Sequence, residues 1–197
     1  MTSTQSSAET AVDHQVAARP RHPLLWALAQ GTGIGLVLAL VRYWQPAAFP
    51  WALLVALSAA LVVVATIDEI TRRIPNTYTA LLLAAGAVLA GQTAILNGPT
   101  AALTAVATAA GVTVFYGAGA ALRWWGMGDA KLAGTATLLV ATIAGPLAAY
   151  LVPIAILISG ARILLRQFAG RPTKHPHGAA IAAAAILVLL LAALSGR

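Results

Sequence analysis

Asp68, Glu69 and Asp129 are the residues of this sequence best suited to chemistry. The chain has five acids, and Glu9 and Asp13 lie in a polar N-terminal stretch, so these three are the carboxylates set among apolar segments. Two carboxylates brought close together cannot both ionise cheaply. They share a proton, so one can act as general base on water while the other donates to a carbonyl oxygen. The chemistry open to an Asp68–Asp129 pair is therefore amide hydrolysis of the aspartic-protease kind. Taken singly, each aspartate has a plainer reading, as an interfacial charge, a helix cap or a partner for Arg72 or Arg73. Glu69 points about 100° around a helix from Asp68, and it is expected to meet Arg72 or Arg73 on the next turn.

The elements that must position these groups are membrane helices. Of 197 residues, 60% are hydrophobic and 9% charged, and the mean hydropathy is +0.85. That polar inventory is too small to clothe a soluble globule of this size. Without cysteine there is no disulfide framework, no thiolate nucleophile and no Cys-ligated metal centre. A bilayer core of about 30 Å takes roughly 20 apolar residues per helix. By that ruler the candidate spans are residues 24–41, 49–67, 77–96, 100–122, 130–145, 146–165 and 178–195. The expected fold is thus an all-α integral membrane protein, a polytopic bundle of about seven transmembrane helices. Six is the alternative, if residues 131–159 form one Pro-kinked helix through Gly145 and Pro146.

Charge decides between the two. With seven spans and the N-terminal tail inside, Arg19, Arg21, Arg72, Arg73, Arg123, Lys131, Arg162, Arg166, Arg171 and Lys174 lie on the cytoplasmic side and only Arg42 and Arg197 outside. Cytoplasmic loops carry the excess of Lys and Arg, so this bias favours seven. The net charge of +7 then reads as orientation rather than as a nucleic-acid surface. Residues 1–23 are read as a disordered cytoplasmic tail, and residues 24–48 as a first transmembrane helix with its outer loop. Tyr43, Trp44, Phe49 and Trp51 at one boundary, and Trp26, Trp124 and Trp125 at the other, read as interfacial belts.

Two spans separate Asp68 from Asp129, so both emerge on the same face. Asp68 is followed by Ile74-Pro75-Asn76, where Pro75 suits a helix start. Gly126-Met127-Gly128-Asp129-Ala130-Lys131-Leu132 places two glycines before the second aspartate, where backbone freedom and the absence of side chains would let an extended substrate approach. Together these motifs resemble the type IV prepilin leader peptidases, membrane aspartic proteases of the GxGD type. A lone GxGD would be weak, but both motifs in order, at helix ends two spans apart, are specific. Pro176-His177-Gly178 before the last span is a softer similarity, to the family's P-x-G-P-like approach to its final helix.

The resemblance covers roughly residues 49–195, and the peptidase domain is assigned to 49–197. It implies removal of the leader from type IV prepilin or pseudopilin precursors at the cytoplasmic face of the bacterial inner membrane, just before the pilin's hydrophobic helix. Asp68 and Asp129 would be the catalytic dyad, with Gly126, Gly128, Lys131, Pro75 and Asn76 forming the substrate cleft. Many bacterial members also carry a cytoplasmic domain with paired cysteines, associated with methylating the new pilin N-terminus. With no cysteine and no loop long enough for that domain, this chain reads as a short, peptidase-only form.

Other features point to no further chemistry. Lys131 could tune Asp129 or steer a carbonyl, or simply snorkel to the headgroups. His175 and His177 flank Pro176 without a nearby carboxylate, so no metal or cofactor is expected. Gly31, Gly33 and Gly35 have no preceding strand, which excludes a dinucleotide fingerprint and leaves close helix packing. A transporter or pilus-assembly subunit that uses the two aspartates as a proton relay or as ion-pair partners is the competing class. It would be expected to show internal repeats and acids near the midplane, and the sequence has neither.

Overall fold

The computed structural model describes residues 22–170 and 176–195. Their elements are all helical: α1 (Pro23–Trp44), α2 (Phe49–Thr71), α3 (Asn76–Asn97), α4 (Pro99–Ala121), α5 (Met127–Ala144), a 3-10 segment (Gly145–Tyr150), α6 (Leu151–Phe168) and α7 (Gly178–Leu194). The tail reading for residues 1–23 falls almost wholly outside the described residues. Proline starts several of these helices, at the first or second position of α1, α2 and α4. Its missing N–H is no loss there and its fixed φ suits the first turn.

By length and composition, five helical stretches could cross a membrane, the last of them running from Met127 to Phe168 over 42 residues. As one helix it would be about 63 Å long, twice the depth of a bilayer core of about 30 Å. The stretch breaks where Gly145 takes φ 56°, a left-handed conformation that glycine adopts without strain, and Pro146 follows. Gly145 and Pro146 share a cavity with Arg42, Pro46 and Asn97, at the ends of α1 and α3. Ser159 and Arg162 of α6 instead meet His177 and Glu69 at the opposite end. The chain therefore reverses at the 3-10 segment, and α5 and α6 are separate crossings. With the apolar α7, the polytopic bundle has seven α-helices among the described residues.

α5 is the centre of the bundle, lying against α3, α4 and α7, while α1 lies along α3, α2 along α7 and α6 along α7. Composition explains its place. From Leu132 to Thr142 every residue is buried, and most are Ala, Gly or Thr, small enough for neighbouring backbones to come close. A Cβ on Gly134 would collide with Thr113 Oγ1 of α4, and one on Gly86 of α3 would lie 2.9 Å from Leu138 Cδ2. The outer surface is apolar, with Val55, Ile95, Val114 and Leu157 all exposed, as expected where lipid is the solvent. Several threonines in the helices satisfy their hydroxyls locally, although the buried Thr137 hydroxyl has no partner among the described residues. Thr66, Thr104, Thr108, Thr113 and Thr135 each donate to the carbonyl four residues back.

The glycines of α1 do what close packing requires. A Cβ at Gly31 would run into the Leu81 carbonyl oxygen, and one at Gly35 would stand 2.9 Å from Val88 Cβ, whereas Gly33 faces open space. Gln92 of α3 adds a side-chain bond to the Ala39 carbonyl at 2.6 Å. Two aromatic assignments are corrected. Phe49 is buried at 3% exposure beneath the Arg42 guanidinium, whose Cζ is 5.1 Å from the ring centroid. Trp125 is packed inside the bundle end, as described below. Each packs against protein, Phe49 against the Arg42 guanidinium and Trp125 against the Tyr116 and His177 rings.

Candidate active site

Asp68 lies in the last turn of α2. The helix closes when Arg72 takes φ 56°, with its N–H bonded to the Asp68 carbonyl at 2.9 Å. Left-handed backbone at a non-glycine residue is uncommon, and here it turns the chain sharply. Ile74 follows, then Pro75 in extended conformation as the cap of α3, then Asn76 as its first residue. The Asp68 carboxylate is buried at 5% exposure, and its Oδ2 accepts the backbone N–H of Gly178 at 3.1 Å. Gly178 is the first residue of α7, so the carboxylate sits on a helix N-terminus, where unpaired N–H groups favour negative charge.

Asp129 is held the same way by its own helix. Gly126 caps α5, and its N–H donates to Asp129 Oδ2 at 2.9 Å. In return the Asp129 N–H donates to the Gly126 carbonyl at 3.1 Å. This is the acidic half of a capping box, an acid at the third helical position reaching back to the cap. Its side chain is 8% exposed. Both carboxylates lie at one end of the bundle, on the N-termini of α7 and α5. Both motifs meet at Ile74. A Cβ on Gly128 would lie 3.2 Å from Ile74 Cβ, and one on Gly178 would lie 3.3 Å from Ile74 Cδ1 and 2.5 Å from Asp68 Oδ2. Ile74 is thus wedged between the first turns of α5 and α7, with one aspartate on each side.

Residues 55–196 match the model of the type IV leader peptidase family. The chain belongs to that family. Neither a curated protein nor a solved structure matches it. Membership implies aspartic endopeptidase activity on prepilin leader peptides, and the lack of cysteine is consistent with a short form. The matched region begins within α2, so α1 stands outside it.

The residues read from sequence as a substrate cleft take up positions that the sequence reading only partly anticipates. Gly126 and Gly128 both have φ outside the left-handed range, so backbone freedom is not what these glycines supply. Gly126 is the cap that holds Asp129, and Gly128 makes room for Ile74. Lys131 and Asn76 are brought together: Lys131 Nζ donates to Asn76 Oδ1 at 2.9 Å on the exposed surface, tying α5 to α3. Pro75 directs the chain into α3. Glu69, expected to meet Arg72 or Arg73, pairs with Arg162 of α6, because α6 returns to this end of the bundle.

A polar group beside the aspartates was missed. His177 caps α7 immediately before Gly178. One ring nitrogen, Nε2, is 3.1 Å from the Tyr116 hydroxyl, and the other, Nδ1, is 3.0 Å from Ser159 Oγ. Trp125 stacks on the imidazole at 5.5 Å between centroids with planes 11° apart, and its Nε1–H donates to the Tyr116 carbonyl at 2.6 Å. Tyr116 is fully buried. Side chains from α4, the α4–α5 connection and α6 therefore fix the residue that precedes Gly178. The signal available in sequence was a tyrosine within an apolar span, since a buried phenol needs a partner. His175, the other histidine considered for a metal, lies outside the described residues.

Proposed function

We propose that this protein is a membrane aspartic endopeptidase that removes the leader from type IV prepilin or pseudopilin precursors at the cytoplasmic membrane face, with Asp68 and Asp129 as its catalytic dyad. The observation that carries this reading is the matched anchoring of the two carboxylates. Each is buried, each has Oδ2 pinned by a backbone N–H at a helix N-terminus, and they share one end of the bundle. Pinning one oxygen of each leaves the other to face substrate and water. Donors fixed in advance need no reorganisation when charge develops.

In this mechanism one aspartate is ionised and the other protonated. The ionised member takes a proton from water as the water oxygen adds to the scissile carbonyl carbon, and the protonated member gives its proton to the carbonyl oxygen. The resulting gem-diol collapses as the carbon–nitrogen bond breaks. The proton taken from water goes to the departing amine, and a diol hydroxyl returns its proton to the other carboxylate. One water is consumed and the dyad ends as it began. Lys131 and Asn76, at the exposed edge of this end, would border the path of the extended leader, and the pilin's hydrophobic helix would remain in the bilayer.

Co-expression with a pilin precursor tests the reading. Mass measurement of the pilin should show loss of the leader at the boundary with the hydrophobic segment. A pilin that keeps its full mass in the presence of membrane-inserted wild-type protein would refute the assignment.

A further inference from the structure

At the end of the bundle opposite the aspartates, Arg42 is a cation with no counter-charge among the described residues. It lies in the last turn of α1 and is half-buried. One terminal nitrogen, Nη1, donates to Thr93 Oγ1 at 2.7 Å, and the other, Nη2, donates to Asn97 Oδ1 at 2.9 Å. The Phe49 ring lies against the guanidinium. Both acceptors are neutral, and the Thr93 hydroxyl spends its own proton on the Leu89 carbonyl at 2.8 Å. These contacts orient the fork and leave its charge intact. Among the described residues the carboxylates are Asp68, Glu69 and Asp129, all at the other end.

The guanidinium lines a cavity of about 390 Å³ closed by the ends of α1 to α5 and the 3-10 segment, with Asn97, Thr104 and Thr142 adding polar groups to its wall. Arginine has five N–H donors in a rigid fork suited to phosphate oxygens. Two of them are committed to α3, so three remain.

We propose that this cavity binds the phosphate diester of an anionic phospholipid whose headgroup otherwise carries only hydroxyls. A lipid is favoured over free phosphate because the cavity lies at the adjoining ends of α1 and α2, where exposed Tyr43, Trp44 and Trp51 offer an apolar surface to acyl chains. An anionic headgroup is favoured over a zwitterionic one because the wall offers no carboxylate to an ammonium group. The first helix supplies the cation of this site, Arg42, which gives it a role separate from the aspartate end.

Native mass spectrometry of the full chain, released from detergent micelles, tests this. The probes are phosphatidylglycerol, phosphatidylethanolamine with the same acyl chains, and inorganic phosphate. Wild type should retain one phosphatidylglycerol at least tenfold better than phosphatidylethanolamine, and millimolar phosphate should not displace it. Arg42→Gln should abolish the preference. Asn97→Asp, which keeps the contact with Arg42 but cancels its charge, should abolish it too and stands as the independent variant if Arg42→Gln does not fold. Equal retention of the two lipids by wild type, unchanged preference in Asn97→Asp, or displacement by phosphate would each overturn the proposal.

Discussion

The Gly178 N–H donates to Asp68 Oδ2 across 110 positions of sequence, so the orientation of the first aspartate depends on where the last helix begins. A Cβ at position 178 would stand 2.5 Å from that same oxygen. Gly178→Ala should therefore displace the carboxylate while leaving the bundle folded, since the rest of α7 is untouched. Processing of a pilin precursor by this variant should fall by at least tenfold with an unchanged yield of membrane-inserted protein. Near-normal processing would mean that the bond does not matter to the chemistry.

Gly128 offers a graded comparison. Its added Cβ would meet Ile74 Cβ at 3.2 Å, a contact that a small movement relieves. Gly128→Ala should cost less activity than Gly178→Ala, and combining it with Ile74→Gly, which removes that Cβ, should restore part of the loss. Double-variant processing below that of Gly128→Ala alone would show that the glycine serves something other than the Ile74 contact.

The histidine clamp predicts coupling. Tyr116→Phe leaves His177 Nε2 without its hydroxyl, and a lost buried hydrogen bond costs about 1–3 kcal/mol. His177→Ala removes the same bond together with the stack on Trp125. The two losses should be less than additive in thermal stability of the detergent-solubilised protein. Full additivity would mean that Tyr116 and His177 act separately.

Glu69 is set apart from the two aspartates by its partner. Its ion pair with Arg162 is about one-third exposed on both sides, and pairs of that kind contribute roughly 0–1 kcal/mol. Glu69→Gln should leave leader cleavage within a few-fold of wild type. A loss as large as that of Asp68→Asn would move Glu69 into the catalytic group.

Much of this architecture is legible in the sequence because lipid imposes it. Span count follows from apolar length, and the choice of seven over six follows from charge bias, since neither depends on side-chain packing. Placing Asp68 and Asp129 at one end needs only an even number of crossings between them. What the sequence does not display are partners chosen by tertiary approach. Glu69 has two arginines within four positions, and its ion pair with Arg162, 93 positions away, comes only from the packing of α6. Trp125 has the composition of a belt residue, and only the fold puts His177 beneath its ring. Gly128 reads as a substrate clearance until Ile74 is found filling it.

The central claim is that Asp68 and Asp129 act as one unit, and the most direct test is the cleavage rate of a pilin precursor by purified protein carrying Asp68→Asn, Asp129→Asn or both. General acid–base groups contribute about 10²- to 10⁴-fold to rate, and groups that work as a unit show non-additive losses. Each single variant should lose activity in that range, and the double variant should lose no more than either alone. A single variant with near wild-type rate, or a double variant whose loss is the product of two modest single losses, would contradict the dyad.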